Sequence, residues 1–134
     1  MRTNATITIF NKRPDLQTRK VFYFPHKIED VWFYCSRKTE IQQGALVSAN
    51  EYKIRIPFPQ QDWVPPSSYQ TFAGIVREWT VQDDDFFILG EWDKSFVEGI
   101  SQVKKEFSGV VGMVLNHTEN FIGTSPHIRI GGGD

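Results

Sequence analysis

The hydrophobic positions of this chain recur with a period of two. From Glu51 to Phe58, Tyr52, Ile54, Ile56 and Phe58 alternate with Lys53, Arg55 and Pro57. That spacing puts the first set on one face of a β-strand and the second on the other. The inward set is aromatic and β-branched, the residue types that suit a half-buried pleated surface. Pro57 has no N–H for a ladder, so the strand is predicted to end, lie at a sheet edge or bulge there. Pro59-Gln60-Gln61-Asp62-Trp63-Val64-Pro65-Pro66 follows, polar and proline-rich around one tryptophan, and reads as a stiff loop projecting from a rigid strand.

The same alternation predicts strands elsewhere. In Ala5 to Phe10, Ile7 and Ile9 face one way and Thr6 and Thr8 the other, with a turn from Asn11 to Asp15. Thr18 to Lys27 reads as a strand whose far end Pro25 demotes to an edge. A link at Ile28-Glu29-Asp30 leads to Val31 to Arg37, apolar on both faces and so central. Lys38 to Asn50 is a polar connection, too long for a hairpin turn. Tyr69, Phe72, Ala73 and Val76 stand at helical spacing behind Ser67 or Ser68 and predict a short helix. Trp79 to Val81 and Phe86 to Gly90 are predicted as short strands around a solvated Asp83-Asp84-Asp85 turn.

Ser95 and Glu98 fit a capping box. Phe96, Ile100, Val103 and Phe107 then mark the apolar face of a helix running to about Glu106, which Gly109 would stop. Strands over Val110 to Asn116 and Pro126 to Ile130, and a flexible tail Gly131-Gly132-Gly133-Asp134, complete the chain. The expectation is one domain over residues 1–134, mainly β, with projecting loops at 38–50 and 59–72. Its fold would be a small β-barrel or sandwich of about seven to eight short strands, with one α-helix in the C-terminal half covering an edge or open end.

Composition narrows the function classes. A net charge of −1, from 15 basic and 16 acidic residues, gives no bulk electrostatic reason to expect nucleic acid or an anionic membrane as partner. Cys35 is the one cysteine, so no internal disulfide forms, and its apolar surroundings predict a buried small hydrophobe. No apolar signal segment or membrane-length run is expected, and the triplets at Asn4 and Asn116 read as chance matches to a glycosylation pattern. Folding in a reducing cytoplasm follows from that reading.

No constellation of catalytic residues stands out. His26, His117 and His127 lie far apart, none with a second ligand at metal spacing. Asp83 to Asp85 lacks the alternating oxygens and glycine of a calcium loop. Glycine-flanked serine elbows and phosphate-cradling glycines are absent, and Glu51 with Glu91 are two of sixteen acids that nothing pairs for glycoside hydrolysis. The chain is therefore read as no enzyme, with no cofactor, metal or small-molecule substrate. Lys53 and Arg55 on an outer face with aromatics near by have the makings of a stacking platform for single-stranded nucleic acid; ordinary outward charge is the plainer reading. Trp63 either folds back to staple its loop onto the core or anchors in a neighbouring subunit's pocket. Proline lowers the ordering cost of such an interface. The candidate interface residues are Lys53, Arg55, Gln60, Gln61, Asp62, Trp63, Val64, Pro65, Pro66 and Tyr69.

The order of features also carries a resemblance. Asn4-Ala5-Thr6-Ile7-Thr8-Ile9-Phe10-Asn11-Lys12 is followed by Tyr52-Lys53-Ile54-Arg55-Ile56-Pro57 and by Val64-Pro65-Pro66 with Tyr69. Trp79-Thr80-Val81-Gln82, Asp85 to Gly90 and His127-Ile128-Arg129-Ile130-Gly131-Gly132 complete it. Together these resemble small structural-region proteins of tailed phages and prophages of Gram-positive bacteria, a group similar to head–tail joining (head-closure, or stopper) proteins. The resemblance implies a small β-barrel that forms a homo-oligomeric ring in the virion neck, between the portal or adaptor connector and the tail terminator or other tail proteins. It also implies a long loop, here 38–50 or 59–71, reaching a neighbour or the packaged DNA in the channel. No catalytic residue and no membrane contact is implied. The alternatives are another tail or minor capsid component, such as a tail terminator, or a generic binding β-module.

Overall fold

The structure, a computed structural model, describes residues 3–14, 19–42, 45–69 and 78–133. Six strands, β1 (Ala5–Pro14), β2 (Val21–Gln42), β3 (Ala45–Pro57), β4 (Phe86–Leu89), β5 (Val111–Asn120) and β6 (His127–Gly133), form an antiparallel closed barrel in the order β1-β2-β3-β6-β5-β4. β4 closes the wall by pairing with β1 on one side and β5 on the other. Two short helices, α1 (Pro66–Tyr69) and α2 (Ile100–Glu106), lie in the connections.

The strand number is lower than expected because separate segments merge. The link at Ile28-Glu29-Asp30 is a bulge inside the 22-residue β2. Ala5 stands opposite Val31 and Ile7 opposite Ile28, so β2 places Glu29 and Asp30 against Thr6 alone. Asp30 takes the left-handed φ of 58° that an aspartate tolerates at such a step. Over Val21 to Val31, β1 is the one strand that pairs with β2 among the described residues, with an isolated bridge from Tyr23 to Val97 besides, and Pro25 falls in this stretch. The expected turn at Asn11 to Asp15 is instead the end of β1, paired to Val21 through Pro14.

The inward face is the alternation read from the sequence. Ile7, Ile9, Ile28, Val31, Tyr52, Ile54, Ile56, Phe87, Val114, Ile128 and Ile130 form one buried cluster with Trp79 and Val81. A second cluster lies outside the wall. Phe10, Phe86, Ile88 and Val111 are covered by Val97 and by Val103 of α2, with Trp92 packed against them. Phe86–Leu89 is apolar throughout because it is sandwiched between the two clusters. α2 therefore covers the outer wall at β1, β4 and β5, and neither an edge nor an open end.

Several expectations are corrected. The helix begins at Ile100, with Gly99 at its N-cap and no side-chain cap, because Val97 pairs with Tyr23 and draws the Ser95 to Glu98 stretch into extended chain. Phe96 packs on Phe22 at 4.9 Å and stays half-exposed. Trp79 to Val81 is fully buried but makes one bridge, Trp79 to Trp63, rather than a strand. Gly131 to Gly133 is no loose tail: it is the end of β6, paired to β3 and β5. The helix expected through Phe72, Ala73 and Val76 is described only as α1, since residues 70–77 lie outside the described residues.

The polar connection 38–50 is corrected too. β2 and β3 continue to pair from Arg37 opposite Asn50 down to Gln42 opposite Ala45. β6 reaches only to Glu51 of β3, and β1 only to Val31 of β2. Beyond those limits no third strand pairs with either of them among the described residues. They form a two-stranded ribbon leaving the barrel. Val31 to Arg37 is consequently not a central strand. At its start the Asn4 side chain stands in for a ladder, donating to the Phe33 carbonyl at 3.1 Å and accepting from the Phe33 N–H at 2.9 Å.

Candidate interaction surfaces

The proline loop closes on its own subunit. Trp63 packs edge-on against Phe58 at 5.3 Å and Phe121 at 5.4 Å, and borders the barrel core. Its backbone neighbours are fixed by Trp79: Val64 N–H donates to the Trp79 carbonyl, Trp79 N–H to the Asp62 carbonyl, and Trp79 Nε1 to the Gln61 carbonyl at 2.9 Å. Gln60 donates back to the Pro57 carbonyl at 2.8 Å. Ser68 and Tyr69 N–H groups donate to the Pro65 carbonyl, which starts α1 at Pro66, and Tyr69 is buried. Burial pushes the Tyr69 hydroxyl up to about 12.

Of the two readings of Trp63, the staple is the one observed. Replacing it with alanine removes an aromatic body from between two rings and should lower stability by roughly 2–3 kcal/mol, read as a clear drop in melting temperature. An unchanged melt would return Trp63 to the role of an exposed anchor. The loop does not join Lys53 and Arg55 in one site.

Those two residues belong to a different surface. Tyr52, Ile54 and Ile56 point inward, so Lys53 and Arg55 point outward, beside Tyr34 and Trp32 of β2 by the ladder register. The Trp32 and Tyr34 rings are parallel to within 4° with centroids 5.9 Å apart. The Arg55 guanidinium lies over Trp32, 5.0 Å from its centroid. On the other side Arg55 stands directly opposite Arg129 of β6. Alternation found Lys53 and Arg55; Arg129 needed the β3–β6 register, which no local pattern encodes. Cys35 is exposed, against expectation; it stands opposite Tyr52 of β3 in a part of β2 beyond Val31, where the pairing with β1 has ended.

Asp85 is the residue that spacing misread. It is fully buried, not part of a solvated turn. Its oxygens accept from Asn11 Nδ2 at 2.9 Å, Lys12 N–H at 2.9 Å and Gln82 Nε2 at 3.1 Å. Asn11 in turn bonds the Thr80 backbone on both sides, at 2.7 and 3.1 Å. The Asp85 carbonyl also accepts from the Val114 N–H of β5, and the Asp84 N–H donates to the Val114 carbonyl. This hub ties β1, the 78–85 segment and β5. Burial raises the Asp85 carboxyl to about 6, against the pull of its three donors.

The remaining titratable groups do not converge. His26 stacks on Trp79 at 5.5 Å and burial lowers its pKa, with Asp62 opposing. His117 meets Asp83 at 2.9 Å and His127 meets the Ser125 carbonyl at 2.8 Å. Among the described residues no three His, Cys, Asp or Glu side chains are grouped as metal ligands. Glu51 lies on β3 and Glu91 follows β4, strands three places apart around the barrel, and Glu91 bonds Lys27 at 3.3 Å. They do not face one another as a catalytic pair would.

Residues 2–133 match one family model, described as a family of unknown function, DUF6751. None of the curated proteins and none of the solved structures matches the chain.

Proposed function

The chain belongs to the DUF6751 family, and for it we propose a structural role: a ring-forming head-closure component of the phage neck, joining the capsid connector to the tail. The observation that carries this reading is the β2–β3 ribbon. From Arg37 and Asn50 outward no third strand pairs with it among the described residues. A lone two-stranded hairpin is at best marginally stable in water. A strand edge with no ladder partner can take up the N–H and C=O groups of a neighbouring chain. A ring is built from heterologous contacts, in which one surface projects and a different one receives. The barrel supplies the rigid body and the ribbon the projecting part. This shifts the presenting element from the proline loop to residues 38–50, the other loop that the resemblance offers.

The test is a shortened ribbon. Arg37 and Asn50 are opposite each other, so Asn-Gly in place of 38–49 joins them in register by a two-residue hairpin turn. The shortened protein should melt within a few degrees of the parent, because the barrel is untouched. The parent should form a ring-sized particle by analytical ultracentrifugation, alone or on mixing with connector and tail proteins, and the shortened form should stay monomeric. A parent that remains monomeric in every mixture, or a shortened form that assembles equally well, rejects the proposal.

A further inference from the structure

The outward face of β2, β3 and β6 holds a second feature, independent of the ribbon. Arg55 and Arg129 stand directly opposite across the β3–β6 ladder. Like charges in that position repel. No carboxylate pairs with either of them among the described residues. Lys53 lies on the same face, one inward residue away from Arg55, and Gly131 opposite it adds no side chain to the surface. An anion seated between the two guanidinium groups would remove the repulsion, and arginine forks suit phosphate oxygens in particular.

Trp32 lies beside Arg55 on the side away from Arg129, so the aromatic strip is one strand spacing from Arg55 and two, roughly 10 Å, from Arg129. Arg55, Trp32 and Tyr34 already form a stacked column. Tyr34 is 48% exposed, leaving a ring on which another flat group can stack. The two halves of this face ask for different chemistry in one ligand: negative charge at one end, a planar ring at the other.

We infer that this face binds single-stranded nucleic acid, with a phosphate between Arg55 and Arg129 and a base stacked on Tyr34. A single strand offers phosphates and unstacked bases together, whereas a duplex keeps its bases paired and out of reach. The chain's near-zero net charge bears on long-range attraction and does not govern a local face of three cations.

The experiment is fluorescence anisotropy with a labelled oligothymidylate of about twelve nucleotides and a duplex of equal length, using the full chain. The single strand should bind and the duplex should bind at least tenfold more weakly. With three cations engaged, log K should fall with log salt at a slope of about −2, a loss of roughly 20-fold between about 50 and 200 mM. Tyr34→Ala should weaken binding about tenfold while Tyr34→Phe retains it. Arg129→Gln should weaken it and flatten the salt slope. Melting temperatures of these surface variants should stay at the parent value, which separates lost binding from lost folding. No binding at low salt, equal affinity for duplex, or indifference to Tyr34→Ala overturns the inference. So does capture of polyglutamate in place of the oligonucleotide, which would make this a surface for acidic protein. Ring assembly by the shortened-ribbon test is unaffected by any of these results.

Discussion

Replacing Asp85 with alanine is expected to cost roughly 2–4 kcal/mol of stability. The Lys12 N–H loses its carboxylate acceptor, and the Asn11 and Gln82 amides each lose one partner inside the protein. The substitution also removes a buried charge, which is why the loss stays below the sum of the broken bonds. Asp85→Asn separates the two effects. It keeps the shape but cannot ionise, and its amide nitrogen meets two other amide donors.

The pH dependence has a definite sign. The folded carboxyl titrates near 6 against an ordinary 3.8, so the folded protein holds the proton more tightly than the unfolded chain. Its stabilising share is complete below about pH 3.8 and is lost as pH rises through 6, an effect of about 3 kcal/mol at most. His26 works the other way: burial lowers its pKa, so its share of stability declines as pH falls through 6.5. Thermal melts of the parent and Asp85→Asn between pH 4.5 and 8 separate them. The parent should gain on the variant as the solution is acidified. Parallel curves would show that the Asp85 carboxylate is as comfortable ionised inside the fold as outside it.

The second large effect lies where the barrel wall has no side chains. A Cβ on Gly132 would sit 2.8 Å from Phe87 Cε1, 2.9 Å from Cζ and 3.0 Å from the Met113 carbonyl oxygen. One on Gly112 would meet the same Phe87 ring at 2.6 Å. Phe87 is fully buried and held edge-on by Tyr52 at 5.7 Å, so it has nowhere to retreat. Gly132→Val should therefore cost about 3 kcal/mol or more by overpacking. Reducing the ring in the same chain, as Phe87→Leu with Gly132→Ala, should recover part of what the two single changes lose, a coupling that a double-mutant cycle measures. Strict additivity would mean that Gly132 and Phe87 do not share the space.

The alternating segments were legible in the sequence because a period of two depends only on which face is buried. Tyr52, Ile54 and Ile56 are inside, and Ile7 and Ile9 are inside, as alternation requires. Mainly β follows from many such segments, with barrel and sandwich both open; closure is read from the β1–β4 pairing. What alternation cannot supply is who stands across from whom. Lys38 to Asn50 looked like a loop because most of its residues are polar and show no period of two, yet β2 and β3 pair there from Arg37 opposite Asn50 to Gln42 opposite Ala45. Gly131 to Gly133 looked loose because glycine is uncommon inside strands; the space a side chain would take is held by Phe87 at Gly132, by Asn116 at Gly131 and by Leu115 at Gly133. Asp85 sat in a run of three aspartates that a turn would place in water, while its partners Asn11 and Lys12 are more than seventy residues distant. Trp63 was undecided because proline-rich surroundings suit a staple and an anchor alike, and only Phe58, Phe121 and Trp79 choose between them. The paired arginines needed the β3–β6 register.

β2 belongs to two bodies at once. Its first half is masonry in a closed wall, while its last six residues, Arg37 to Gln42, at about 3.3 Å each, carry the chain roughly 20 Å clear of it. Calorimetry weighs the wall and is blind to what hangs from it. Selection for heat resistance would let the overhang erode unnoticed, and selection for assembly would guard it while tolerating a softer wall.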